Sequence, residues 1–126
     1  MKYLIDTHIF IWIFSEPEKI KRKVKAILDD PEVILFVSPI TFYEIQLKKI
    51  LGKLDFEPEL DEIIGEEYFE VLNITSEHTI ATIDLPLLHR DPFDRILIAQ
   101  SIVEEITMIT GDKEIMMYDF PYVSTR

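Results

Sequence analysis

Short apolar runs alternate with longer helical patterns along this chain, and that rhythm restricts the fold more than any other feature. KYLI (residues 2–5), VILFV (33–37) and TMIT (107–110) are too short for helices and read as strands, and YFEVLNI (68–74) reads as another. Strand alternating with helix predicts a parallel sheet with right-handed crossovers. HIFIWIF (8–14) is apolar nearly all round, which predicts a short buried helix. Ser15 with Glu18 three residues on is a capping-box pattern and predicts a helix to about Leu28, stopped before Asp30-Pro31. Ser38-Pro39 starts a helix that ends at Gly52. A shorter helix is expected over 59–65, and Ser76 is the expected cap of another through about Ile83. Asp91-Pro92 opens a helix whose apolar residues Phe93, Ile96, Leu97, Ile98, Ala99, Ile102 and Val103 cover more than one stripe, so it is expected to be central. The tail PYVSTR is short and polar, a weak strand signal.

A chain of 126 residues suits one domain, 1–126. It is 48% hydrophobic, enough for a core, so disorder is not expected. It has no cysteine, which excludes disulfide scaffolds, thiolate zinc sites and cysteine nucleophiles. No signal-peptide pattern and no apolar stretch near the ~20 residues of a membrane span is visible, so a cytoplasmic location is expected.

Four acids stand at the junctions of this pattern. Asp6 ends the first apolar run, Glu44 lies inside the helix after the second, Asp94 lies at the start of the helix opened by Asp91-Pro92, and Asp112 follows TMIT and Gly111. In parallel α/β sheets, ligand sites lie outside the carboxyl ends of the strands. Asp6 and Asp112 fall at such ends, and Glu44 and Asp94 sit in helices leaving them. Two carboxylates ~5 Å apart repel by about 3 kcal/mol at an effective dielectric near 20. Gathering four therefore points to a hard divalent cation.

Each acid also has an ordinary use. Asp6 can cap the next helix. Glu44 can pair with Lys48 at i,i+4, worth ~0.3–0.5 kcal/mol. Asp94 sits where an acid favours the helix dipole, with Asp91 as cap. Asp112 is in a turn, where Asp is common. His8 follows Asp6 closely and can support it. His78 and His89 show no ligand spacing and are expected at the surface. Trp12 and Phe14 are expected in the core. Arg95 can neutralise Asp91 or Asp94, or contact phosphate. Thr7, Ser38, Thr41 and Thr110 can orient carboxylates or act as caps.

The formal net charge of −11 argues against nucleic-acid binding. Metal ligation by four of the acids would reverse the local field. Lys19, Lys21, Arg22, Lys23 and Lys25 also cluster, as do Lys48, Lys49 and Lys53. Both clusters read first as solvated helix surface.

LIDTHIFIW, SPITFYEI, HRDPFDRILIAQS and MITGDK, in this order, resemble the PIN-domain family, in particular its VapC-type toxins from prokaryotic toxin–antitoxin pairs. HRDPFDRILIAQ is the most specific piece, and the similarity covers nearly the whole chain. The resemblance implies a three-layer α/β/α sandwich around a small, mostly parallel sheet. It implies a Mg²⁺- or Mn²⁺-dependent ribonuclease in which Asp6, Glu44, Asp94 and Asp112 match the catalytic, metal-binding acids. Asp112 matches the least constant of these positions. The resemblance also implies an RNA substrate, a homodimer and a cognate antitoxin whose tail blocks the site. Two alternatives remain: a non-catalytic scaffold of the same fold, and an aspartate-based phosphatase with Asp6 as nucleophile. The phosphatase pattern wants a second acid two residues on, where this chain has His8.

Overall fold

Backbone groups of the apolar runs must find hydrogen-bond partners once their side chains are buried. In the computed structural model, which describes residues 1–65 and 68–126, they find one another in a five-stranded sheet. The strands are β1 (Lys2–Ile5), β2 (Ile34–Val37), β3 (Glu70–Val71), β4 (Thr107–Thr110) and β5 (Tyr122–Ser124). Their order is β3-β2-β1-β4-β5, and every pairing is parallel. The expected α/β sandwich is therefore present. The weak PYVSTR signal does contain a strand, because β5 takes its pairing from β4: Met108 aligns with Tyr122 and Thr110 with Ser124. YFEVLNI contributes only the two residues of β3 at the sheet edge.

Six α-helices are described: α1 (Thr7–Ser15), α2 (Arg22–Asp29), α3 (Pro39–Ile50), α4 (Leu60–Ile64), α5 (Ser76–Ala81) and α6 (Pro92–Glu104). They cover both faces of the sheet. Tyr3, Ile5 and Ile109 point to one face, with Ile9 and Phe10 of α1, Val24 and Leu28 of α2, Ile45 of α3 and Leu60 of α4. Leu4 and Met108, one residue out of step, point to the other face with Leu97 and Ile98 of α6. This period-two division is why the strand runs are apolar throughout. The central position expected for α6 is borne out, since Leu97 to Ser101 are all buried.

The predicted caps hold at α3 and α6. Ser38 accepts from the Ile40 amide, and Asp91 Oδ1 accepts from the amides of Phe93 and Asp94. Gly52, with φ +71°, follows α3 in the left-handed conformation that glycine adopts freely. Two expected helix starts are corrected. Ser15 is the last residue of α1 and its hydroxyl donates back to Ile11 O, so it caps nothing; Pro17–Lys19 is a single 3-10 turn, and α2 begins only at Arg22. Thr75, not Ser76, caps α5: its hydroxyl accepts from the His78 amide while its own amide donates to His78 Nδ1.

Candidate functional site

β1 and β4 are neighbours in register, with Ile5 opposite Ile109, so Asp6 and the Gly111–Asp112 turn leave the sheet side by side. Asp6 is buried at the N-terminus of α1. It serves as the cap, Oδ1 accepting from the Ile9 amide at 2.9 Å, while Oδ2 accepts from the Thr110 hydroxyl. The same Thr110 oxygen accepts from the Asp112 amide at 3.1 Å. One hydroxyl, 104 residues from Asp6, thus ties that carboxylate to the backbone of Asp112. The capping role and a metal-binding role are compatible, because each carboxylate oxygen has a second acceptor direction. Burial pushes the Asp6 carboxyl above the ordinary aspartate range and the charge of Asp112 adds to this, against the bonds from Thr110 and Ile9 and the nearby His8.

Asp94 is in the first turn of α6, in the field of the same Asp112. Its pKa is pushed up to about 7, mainly by burial, with Asp91 and Asp112 raising it further and His89 opposing. His89 Nε2 lies 2.9 Å from Asp94 Oδ2. His89 Nδ1 lies 2.8 Å from the Tyr118 hydroxyl, which also accepts from Arg95 at 2.9 Å. With Tyr118 donating to Nδ1, a neutral His89 carries its proton on Nε2 and directs it at Asp94. One atom each from His89, Asp94 and Glu114 lie within 4.8 Å of one another.

Glu44 is buried in α3, which packs against both α1 and α6. The expected i,i+4 pair exists: Lys48 Nζ lies 2.6 Å from Oε2. Yet Oε1 is buried and has no hydrogen-bond partner among the described residues. Such an orphaned acceptor costs ~1–3 kcal/mol or more, and a cation would satisfy it. One turn earlier, Thr41 bonds Thr7 at 3.1 Å, which fixes α3 against the start of α1. The carboxylates of Asp6, Glu44, Asp94 and Asp112 offer oxygen alone, the chemistry a hard divalent ion selects.

Asp112 thus lies within electrostatic reach of both Asp6 and Asp94, and Glu44 is carried by α3, which packs on α1 and α6. Among the described residues, the three side chains whose ligand atoms come within 4.8 Å of one another are His89, Asp94 and Glu114, of which only Asp94 belongs to the expected set. Two expectations about other residues are corrected. His78 and His89 are buried, not at the surface. His78 Nδ1 accepts from the amide of the cap Thr75, its Nε2 lies 2.7 Å from Glu104, and His89 supports Asp94. Arg95 does not pair with Asp91 or Asp94. Its guanidinium donates to the carbonyls of Thr82, Leu85 and Pro86 and to the Tyr118 hydroxyl, which fixes the loop before α6. Arg95→Met is expected to cost about 2–3 kcal/mol by leaving those acceptors without their charged donor. A urea midpoint equal to that of the unmodified protein would show that other contacts hold the loop.

A parallel α/β sandwich with acids gathered at the carboxyl edge of its sheet defines the class, and comparison gives the family. The PIN domain profile matches residues 3–121, and the chain belongs to the PIN domain family. An uncharacterized protein from Methanocaldococcus jannaschii is 25% identical over 120 residues, covering 92% of this chain and 74% of that protein. The fold is similar to VapBC2 from Rickettsia felis bound to a DNA fragment from their promoter, with TM-score 0.75, 16% identity and full coverage of both chains. It is also similar to a toxin–antitoxin complex from Klebsiella pneumoniae, with TM-score 0.68, 21% identity and 98% of both chains covered.

Proposed function

We propose that this chain is a divalent-metal-dependent endoribonuclease, the toxin of a type II toxin–antitoxin pair acting in the cytoplasm. The observation that supports the reading is the position of Asp112 beside both Asp6 and Asp94, whose carboxyl groups are held above their ordinary range by burial first and then by neighbouring negative charge, that of Asp112 in both cases. Membership of the PIN domain family supports the same reading.

Asp6, Glu44, Asp94 and Asp112 would hold Mg²⁺ or Mn²⁺. When bound, the ion supplies Lewis acidity toward the phosphate and lowers the pKa of a water. The protein's part is orientation. Ile9 and Thr110 fix the Asp6 carboxylate, and His89, held by Tyr118, fixes that of Asp94. Glu44, whose buried Oε1 has no partner among the described residues, would complete the set or take a proton from the attacking water. Water attacks phosphorus in line, the P–O bond to the leaving nucleotide breaks, and no covalent enzyme intermediate forms.

The test is cleavage of a panel of structured RNAs with Mg²⁺ or Mn²⁺ and with chelator. Cleavage only with the metal is expected; no cleavage with either ion would overturn the assignment. Calorimetric titration separates an enzyme from a scaffold, which would bind neither cation.

The chain is also read as a homodimer with a cognate antitoxin partner. Toxin–antitoxin complexes among the similar structures support the partner. The apolar side chains of Ile80, Ile83 and Leu87 are exposed beside one another in sequence, at 70%, 83% and 69%, and support self-association. Sedimentation equilibrium is expected to give twice the 14.9 kDa chain mass; a monomer would remove the dimer.

A further inference from the structure

A cleft of about 320 Å³ opens beside the carboxylate cluster, lined by His8, Trp12, Gly111, Asp112, Lys113 and Arg126. Its chemistry differs from that of the acids next to it. Trp12 is only partly buried, packed on the edge of the core with Lys19 Nζ 5.7 Å from its ring centre, and His8 is exposed. Their rings stand 6.3 Å apart and tilted by 49°. The edge of the indole rests against the turn that carries Asp112, and a Cβ on Gly111 would lie 3.8 Å from Trp12 Cη2. Arg126 reaches the same turn, its Nε donating to Gly111 O. Lys113 is exposed, and among the described residues neither cation forms an ion pair.

An aromatic platform with two cations beside it is how proteins hold single-stranded nucleic acid without reading its sequence. The rings stack on a base and the cations take the backbone. In a chain of net charge −11, two cations lining a wall of the acidic site are placed where a polyanion must pass. We propose that this cleft is an RNA subsite: a base stacks on Trp12 with His8 at its edge, and Lys113 and Arg126 hold the phosphate next to the scissile one. Asp112 is shared by cleft and acidic cluster, so an occupant of the cleft adjoins the reacting phosphate. This inference rests on the ribonuclease reading, and it adds where the substrate strand lies.

Trp12 is the only tryptophan in the chain, so its fluorescence reports the cleft alone. The Asp6→Asn protein, in which RNA survives, is titrated with hexameric oligo(U) and oligo(A) RNA and with an abasic hexamer. Saturable quenching by the two base-bearing hexamers, and not by the abasic one, is expected. Trp12→Ala in this background is expected to weaken RNA binding roughly tenfold or more, measured with a labelled hexamer, and Trp12→Phe to restore much of it. Lys113→Gln with Arg126→Gln is expected to lower the slope of log K against log salt by about 0.7 per lost phosphate contact. Melting temperature confirms that each variant is folded.

RNA binding with unchanged fluorescence, or undiminished in folded Trp12→Ala, would overturn the subsite. So would quenching by an acidic antitoxin-tail peptide but not by RNA, which would make the cleft a protein-docking site. The two readings fail separately. A protein that cleaves RNA normally with Ala at position 12 keeps the nuclease and loses the subsite. One that binds RNA through Trp12 but never cleaves it keeps the subsite and loses the nuclease.

Discussion

Asp6→Asn is expected to lower RNA cleavage by roughly a thousandfold or more while leaving the metal-free protein as stable as before, or more so. The loss follows from removing a buried anionic ligand. Metal-ion catalysis contributes several kcal/mol of transition-state stabilisation, and each 1.36 kcal/mol is a factor of ten in rate. The retained fold follows from the geometry. Asn keeps an oxygen to accept from the Ile9 amide, and its amide can donate to Thr110 Oγ1 in place of accepting from it. The α1 cap therefore survives, and the charge repelled by Asp112 and penalised by burial is gone. Cleavage rate and thermal midpoint, measured on one preparation with and without Mg²⁺, give both halves of the result. Undiminished cleavage would remove Asp6 from the site. A midpoint well below that of the unmodified protein would make its carboxylate a structural requirement first.

Asp6 was legible in the sequence as a buried cap because an acid that ends a buried strand and opens a helix leaves a local trace. Asp94 has an ordinary use beside the cap Asp91, at the start of its helix, and only the resemblance carried by HRDPFDRILIAQ singled it out. The strand–helix rhythm foretold a parallel sheet, and the caps at Ser38 and Asp91 set two helix starts correctly, because those interactions span two or three residues. What escaped depends on partners far along the chain. His89 is held by Tyr118, 29 residues away, and Arg95 reaches Tyr118 23 residues on. No local spacing carries that information. The Ser15–Glu18 pattern failed for a different reason. It has the composition of a capping box, but Ser15 is still inside α1, bonded to Ile11 O, and Pro17 begins a turn that closes after three residues. β5 was hidden because a polar strand at a sheet edge is fixed by the ladder it joins and not by its own hydrophobicity.

Magnesium is expected to stabilise the protein strongly at pH 8 and weakly at pH 5, against a metal-free stability that runs the opposite way. In the metal-free protein the Asp94 carboxyl titrates at about 7, against 3.8 for an ordinary aspartate, and burial is the main cause. Between those two values the folded chain holds a proton that the unfolded chain has released, so stability falls as pH rises through the window. Above about 7 the carboxyl is ionised in both states and the whole penalty is present. Burial moves Asp6 in the same direction, so its contribution has the same sign. A divalent cation needs the ionised carboxylates and therefore competes with protons. At a hundred times its Kd it contributes about 2.7 kcal/mol, on the order of 10 °C in a chain of this size. Thermal midpoints at pH 5, 6, 7 and 8, with and without Mg²⁺, test both slopes. The double variant Asp6→Asn with Asp94→Asn should flatten the metal-free profile and abolish the response to Mg²⁺, which separates these two acids from the general repulsion of a chain of net charge −11. A metal-free midpoint that climbs from pH 5 to pH 8, or an equal Mg²⁺ shift at both ends, would show that the carboxylates at the sheet edge are not held as a strained cluster awaiting an ion.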